Sequence, residues 1–192
     1  MKTFFSRTNA IKTAWLLLFV TLALTNACRP ISNPAQTDLE EVLPNVITLT
    51  LSSPQGNTTA VWHGSTNATG SAVHIDTLVL AAGRTYAGAI SAVNATKSPS
   101  VDLTAEYKKL ADEHQFFYIV AGDAKNRVSI TVTDKDGNNL PVGLEFTLAA
   151  SAGASVRGTL NVVLSHYDGV KKNGTSMSSE SDIDITFPVV IR

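Results

Sequence analysis

One cysteine, Cys28, in 192 residues leaves the chain with no means of making an internal disulfide. Packing alone must therefore hold the fold, and a chain of this length can bury a core without covalent staples. Membrane-spanning runs are missing too. The longest apolar stretch, Ala14 to Leu24, has about eleven residues against the roughly 20 that a spanning helix needs. There is no Gly-x-Ser-x-Gly elbow, no Gly-rich phosphate loop and no His-Glu-x-x-His pair, so no motif supports catalysis and the expected function is non-enzymatic. Basic stripes are absent, net charge is -1 and aromatic content is 7%, which removes the electrostatic and stacking terms that nucleic-acid binding requires.

What the N-terminus does contain is an export signal. Lys2, Arg7 and Lys12 precede the apolar run, which ends at Leu24-Thr25-Asn26-Ala27-Cys28. This segment resembles a bacterial lipoprotein signal, in which an aliphatic residue and two small residues lead to a cysteine that becomes the lipidated N-terminus. Ala27 and Cys28 match that pattern, while Thr25 stands where leucine is usual and Asn26 is larger than the pattern prefers. An ordinary signal peptidase would cut at the same bond, but only lipidation gives the lone cysteine a role. The expected organisation is a signal peptide over 1–27, a lipidated Cys28 with a proline-bearing tether over 28–44, and one domain over 45–192.

The domain reads as strands. Alternation of apolar and polar residues marks Val46 to Leu51 and Val128 to Thr133, Thr59 to His63 is a short strand, and Ile75 to Ala81 and Arg84 to Val93 are two more. Phe116 to Val120 is apolar enough for burial on both faces. Leu144 to Ala149, Val156 to Ser165 and Ile183 to Ile191 bring the total to about nine strands. Asp136-Gly137 and Asn173-Gly174 are turn signals. The expected fold is all-β, an antiparallel immunoglobulin-like sandwich with one inserted helix. That helix is predicted over Asp102 to His114, N-capped by Asp102, with Lys109 and Glu113 paired on its surface.

Glu113 to Tyr118 (Glu-His-Gln-Phe-Phe-Tyr), the Asp136 to Asn138 turn and the Gly158 to Leu164 strand leading to His166 are similar to small, mostly uncharacterised β-sandwich lipoproteins of Gram-negative, Bacteroidota-type bacteria. The resemblance covers most of the mature chain. It implies an outer-membrane lipid anchor, facing the periplasm or the surface, with an outer-membrane transporter or a surface glycan as partner. Some of those proteins are described as periplasmic-binding-fold-like, a two-lobed α/β fold that an all-β pattern does not support.

Candidate ligands follow from strand parity. His63, His74, His114 and His166 each fall at a strand end, and up-and-down strand order places all four at one end of the sandwich. Imidazole is a ligand for zinc or copper, and Glu113, with Glu106, Asp112 or Asp168, would complete a shell. The alternative is four strand-end histidines with no common role. Asp134, Asp136, Asn138 and Glu145 have the spacing of a calcium loop, although its glycine position is Asn139 and the flanks are strands, as in a plain hairpin. Trp62 is either a sugar platform or core. Asp76-Thr77-Leu78 resembles an O-glycosylation acceptor. The competing functional expectation is a structural or adhesive module for protein or glycan.

Overall fold

A computed structural model of the chain describes residues 42–64 and 72–192; the expected signal peptide, Cys28 and the expected tether as far as residue 41 lie outside the described residues. In chain order the elements are β1 (Val46–Ser52), β2 (Thr58–Gly64), β3 (Ala72–Ile75), β4 (Leu78–Leu80), β5 (Arg84–Asn94), β6 (Val101–Asp102), α1 (Thr104–Lys109), β7 (His114–Gly122), β8 (Val128–Val132), β9 (Glu145–Ala150), β10 (Val156–His166) and β11 (Glu180–Ile191). One sheet runs β3-β2-β1-β5-β9-β8, with β6 paired to β5, and the other runs β4-β11-β10-β7.

The alternation in the sequence becomes a division of faces. Ile47, Leu49 and Leu51 of β1 are fully buried, as are Leu160, Val162 and Leu164 of β10 and Ile183, Phe187 and Ile191 of β11 within a few per cent. Side chains of both sheets meet in one core cluster, so the molecule is a mostly β, sandwich-like pair of sheets. Burying each such side chain contributes roughly 1.5–3 kcal/mol, enough for packing to stand in for disulfides.

Three expectations need correction. The run Ile75 to Ala81 is not one strand: β3 ends at Ile75 in the first sheet and β4 begins at Leu78 in the second. The break is made by Asp76, whose carboxylate accepts the Val61 amide at 2.9 Å and bonds His74 at 2.8 Å, tying the turn to β2. With this split and the two-residue β6, the strand number is eleven among the described residues, and the second sheet is mixed, because β4 lies parallel to β11. The helix is shorter than the pattern suggests, six residues rather than three turns. Leu103 occupies the N-cap position without a side-chain bond, while Asp102 accepts the Thr104 amide at 2.8 Å from one residue earlier. Lys109 pairs with Glu106 at 2.9 Å, three residues back, since the chain has left the helix before Glu113. Finally, Phe116 is buried but Ile119 is 43% exposed: the two lie on opposite faces of β7, and only the face turned to the other sheet meets the core.

Residues 42–44, which the prolines group with the tether, are docked on the domain. Val42 packs against the core and the Leu43 carbonyl accepts the Asn94 side-chain amide at 2.6 Å.

Candidate metal centre

The four histidines separate into two pairs. His63 and His74 face each other across β2 and β3. His63 Nε2 lies 3.4 Å from the Asn45 amide nitrogen, and His74 Nε2 is bonded to Asp76 at 2.8 Å. The Asn45 oxygen accepts the Ala95 amide at 2.7 Å, which orients the side-chain NH2 toward His63 as a donor. His63 Nε2 is thereby an occupied acceptor.

The other pair is built differently. β7 and β10 run antiparallel, and their register sets His114 opposite His166. The rings stack with centroids 4.6 Å apart and planes 13° from parallel. Asp182, near the start of β11, reaches both: Oδ2 is 3.1 Å from His114 Nε2 and Oδ1 is 3.6 Å from His166 Nδ1. Ligand atoms of His114, His166 and Asp182 all lie within 4.8 Å of one another.

His114 is 3% exposed, and its other nitrogen is committed. Nδ1 donates to the Leu110 carbonyl at 3.0 Å, just past the C-terminus of α1. In the neutral ring that leaves Nε2 with a lone pair, aimed at a carboxylate that also has only lone pairs. Two acceptors at 3.1 Å repel unless a cation stands between them, either a proton or a metal ion. Fixing the remote ring N–H with a backbone carbonyl is the arrangement that presents the other nitrogen to a metal. Burial pushes the His114 pKa down, but the bonds to Asp182 and Leu110 and the charges of Asp182 and Glu113 outweigh it, and the net shift is upward.

The residues fit a divalent ion. Ligands on a tetrahedral zinc are about 3.3 Å apart, given zinc–nitrogen and zinc–oxygen bonds near 2.0–2.1 Å; His114 stands 3.1 Å from Oδ2 of Asp182, His166 stands 3.6 Å from the other oxygen, Oδ1, and the three ligand atoms lie within 4.8 Å of one another, so the group must contract to enclose an ion. Near-parallel rings cannot both direct in-plane lone pairs at one point, so one ring must turn. His166 is the freer ring: its side chain is 20% exposed and its 3.6 Å approach to Asp182 is too long for a hydrogen bond. A crevice of about 20 Å³ opens beside the three ligands, walled by Val42, Leu43, Leu103, Tyr107 and Leu110, with Glu106 also on its lining. Burial and the Asp182 charge raise the Tyr107 pKa, so the phenol is neutral.

Of the residues expected to bind metal, His114 and His166 belong to this group, and His63, His74 and Glu113 do not. Glu113 is exposed and contributes its backbone carbonyl to Tyr167. Asp112 and Asp168 are exposed as well. No local sequence signal marks Asp182, which lies 68 residues from His114 and is brought there only by the β10–β11 pairing. The calcium-loop residues do not form a metal-capable group among the described residues. Both Asp134 oxygens accept backbone amides of Gly143 and Leu144, Asp136 accepts Asn138, Leu140 and Lys172, and Asn138 and Glu145 are exposed. Trp62 is core at 3% exposure. Thr77 is exposed between the sheets.

Compared with known protein families, curated proteins and solved structures, the chain matches none.

Proposed function

We propose that this chain is a non-enzymatic, lipid-anchored accessory protein of the bacterial envelope that holds one divalent transition metal, zinc or copper(II), through His114, His166 and Asp182. The carrying observation is the grouping of three ligand atoms within 4.8 Å: His114, whose Nδ1 is spent on Leu110, presents Nε2 to Asp182 at 3.1 Å, where a proton or a metal ion is required, and His166 supplies the third donor that a metal would use and a proton would not. Two imidazoles and a carboxylate are a borderline-hard donor set that suits zinc and copper(II) rather than copper(I). The anchoring part of the proposal rests on the signal that ends at Cys28. An outer-membrane transporter or a surface glycan is the partner that the lipoprotein resemblance brings with it. For the fold we propose the immunoglobulin-like subtype, on the grounds of two sheets, chiefly antiparallel, sharing one core.

The test is calorimetric titration of zinc and of copper(II) into the full chain and into two double variants. His114→Ala with His166→Ala should abolish one-to-one binding, and His63→Ala with His74→Ala should leave it intact. Equal binding by all three proteins, or none by the wild type, would sink the metal assignment. The field would then pass to an adhesive module, for which the exposed Ile119 and Met177 on the outer face beside β7 and β10 are the starting surface.

A further inference from the structure

Three protein ligands leave a tetrahedral ion one position short, and the surroundings of this crevice restrict what fills it. At about 20 Å³ the space accepts one ion or one water and no substrate. Its walls are apolar except for the three ligands, the Tyr107 ring and Glu106. Glu106 and Leu110 are four apart and share a face of the α1 segment, so the stretch that fixes the His114 ring through the Leu110 carbonyl also lays Glu106 over the same space.

We infer that Glu106 is the fourth ligand, and that the centre is a closed holding site rather than an open catalytic one. This rests on the metal reading above. Charge supports it: two neutral imidazoles and one carboxylate leave a divalent ion with net charge +1 in an apolar crevice, and a second carboxylate brings the sum to zero. The move costs little. Glu106 Oε2 is now held by Lys109 at 2.9 Å, a pair whose lysine is 73% exposed, and such solvent-facing pairs are weak. The Glu106 side chain, 23% exposed, lines the crevice but stands outside the group of ligand atoms that lie within 4.8 Å of one another, so joining them requires it to leave Lys109 and turn inward. Binding would then clamp α1 to the second sheet, with Asp182 and the histidines on one side and Glu106 on the other.

Cobalt(II), which absorbs visibly according to its coordination, tests this on the full chain. The wild type should give the intense bands of four-coordinate cobalt. Glu106→Gln, an isosteric change, should keep the far-ultraviolet dichroism of the fold, shift those bands, and weaken zinc at least about tenfold, the low end for disturbing a ligand sphere. Lys109→Ala frees Glu106 and should leave the bands unchanged with zinc bound as tightly or more tightly. Wild-type bands and affinity in Glu106→Gln, or lost affinity in Lys109→Ala, would overturn the fourth ligand while leaving the metal site standing. No cobalt bands in the wild type would overturn both.

Discussion

At the scale of single residues, the most consequential side chain outside the metal group is Lys172. It is 4% exposed and donates to the Ala111 carbonyl at 2.7 Å, the His114 carbonyl at 3.0 Å and Asp136 at 2.9 Å. Three donors meet three acceptors, so the ammonium is fully satisfied although buried. The same lysine joins the β10–β11 loop, the β8–β9 loop and the entry to β7. Lys172→Met should cost roughly 3–5 kcal/mol in urea unfolding, since it strands the Asp136 carboxylate. Asp136 also sets a pH signature. Burial raises its pKa, but the Leu140 amide, Lys172 and Asn138 lower it further, and the net shift is below the usual carboxylate value. A lowered folded pKa means that the unfolded chain takes up the proton first as pH falls. This contribution is complete above about pH 4, the unfolded value, and is lost as pH drops from there through the folded value. Urea midpoints measured from pH 6 down to pH 2 should therefore fall below about pH 4, and Asp136→Asn, less stable at neutral pH, should show a flatter fall.

At the scale of elements, packing rather than propensity decides which changes are tolerated. Gly88 on β5 lies directly opposite Phe146 on β9, and a Cβ on Gly88 would overlap the Phe146 ring. Gly88→Ala should destabilise by about 1–3 kcal/mol, the usual cost of overfilling a core. Gly88→Ala combined with Phe146→Leu should recover part of that loss, a coupling that a double-mutant cycle measures directly. If the two changes add without coupling, the contact is not the cause.

The elements also mark how far the sequence can be read. Strands β1, β2, β5, β8, β9 and β10 stand within a residue or two of where the sequence places them, and β1 and β8 do so on alternation alone. The pattern fails where one local interaction overrides it. The Asp76 carboxylate on the Val61 amide splits one apolar run between two sheets, and nothing within Ile75 to Ala81 signals that. The site divides in the same way. His114 and His166 are visible as strand-end histidines, because period-two runs reveal strand ends. Their mutual register is not visible, and neither is Asp182, because strand order in a sheet is a long-range property that local pattern does not encode. The parity of successive strands says which end of the molecule a residue occupies and nothing about which sheet, which is why it does not separate His63 and His74 from a pair they do not join.

For the whole molecule, the proposed metal binding would form one equilibrium with folding. The three ligands come from β7, β10 and β11, so the unfolded chain cannot assemble them, and an ion that binds the folded state alone stabilises it by RT ln(1 + [L]/Kd). At one hundred times Kd that is about 2.7 kcal/mol. A domain of this size gains roughly 2–4 °C in Tm for each kcal/mol, so saturating zinc should raise Tm by about 5–11 °C in thermal unfolding. The rise should disappear when His114 and His166 are both alanine. It should persist when His63 and His74 are alanine, since their partners are Asn45 and Asp76 and they stand outside the His114, His166 and Asp182 group. Hydrogen exchange locates the same effect: zinc should slow the amides around α1 and the first residues of β7 and β11 and leave the β8–β9 hairpin unchanged. A zinc-dependent rise in Tm without that local pattern would place the ion elsewhere on the molecule, because stabilisation through this crevice must first be felt by the three strand ends and the helix that enclose it.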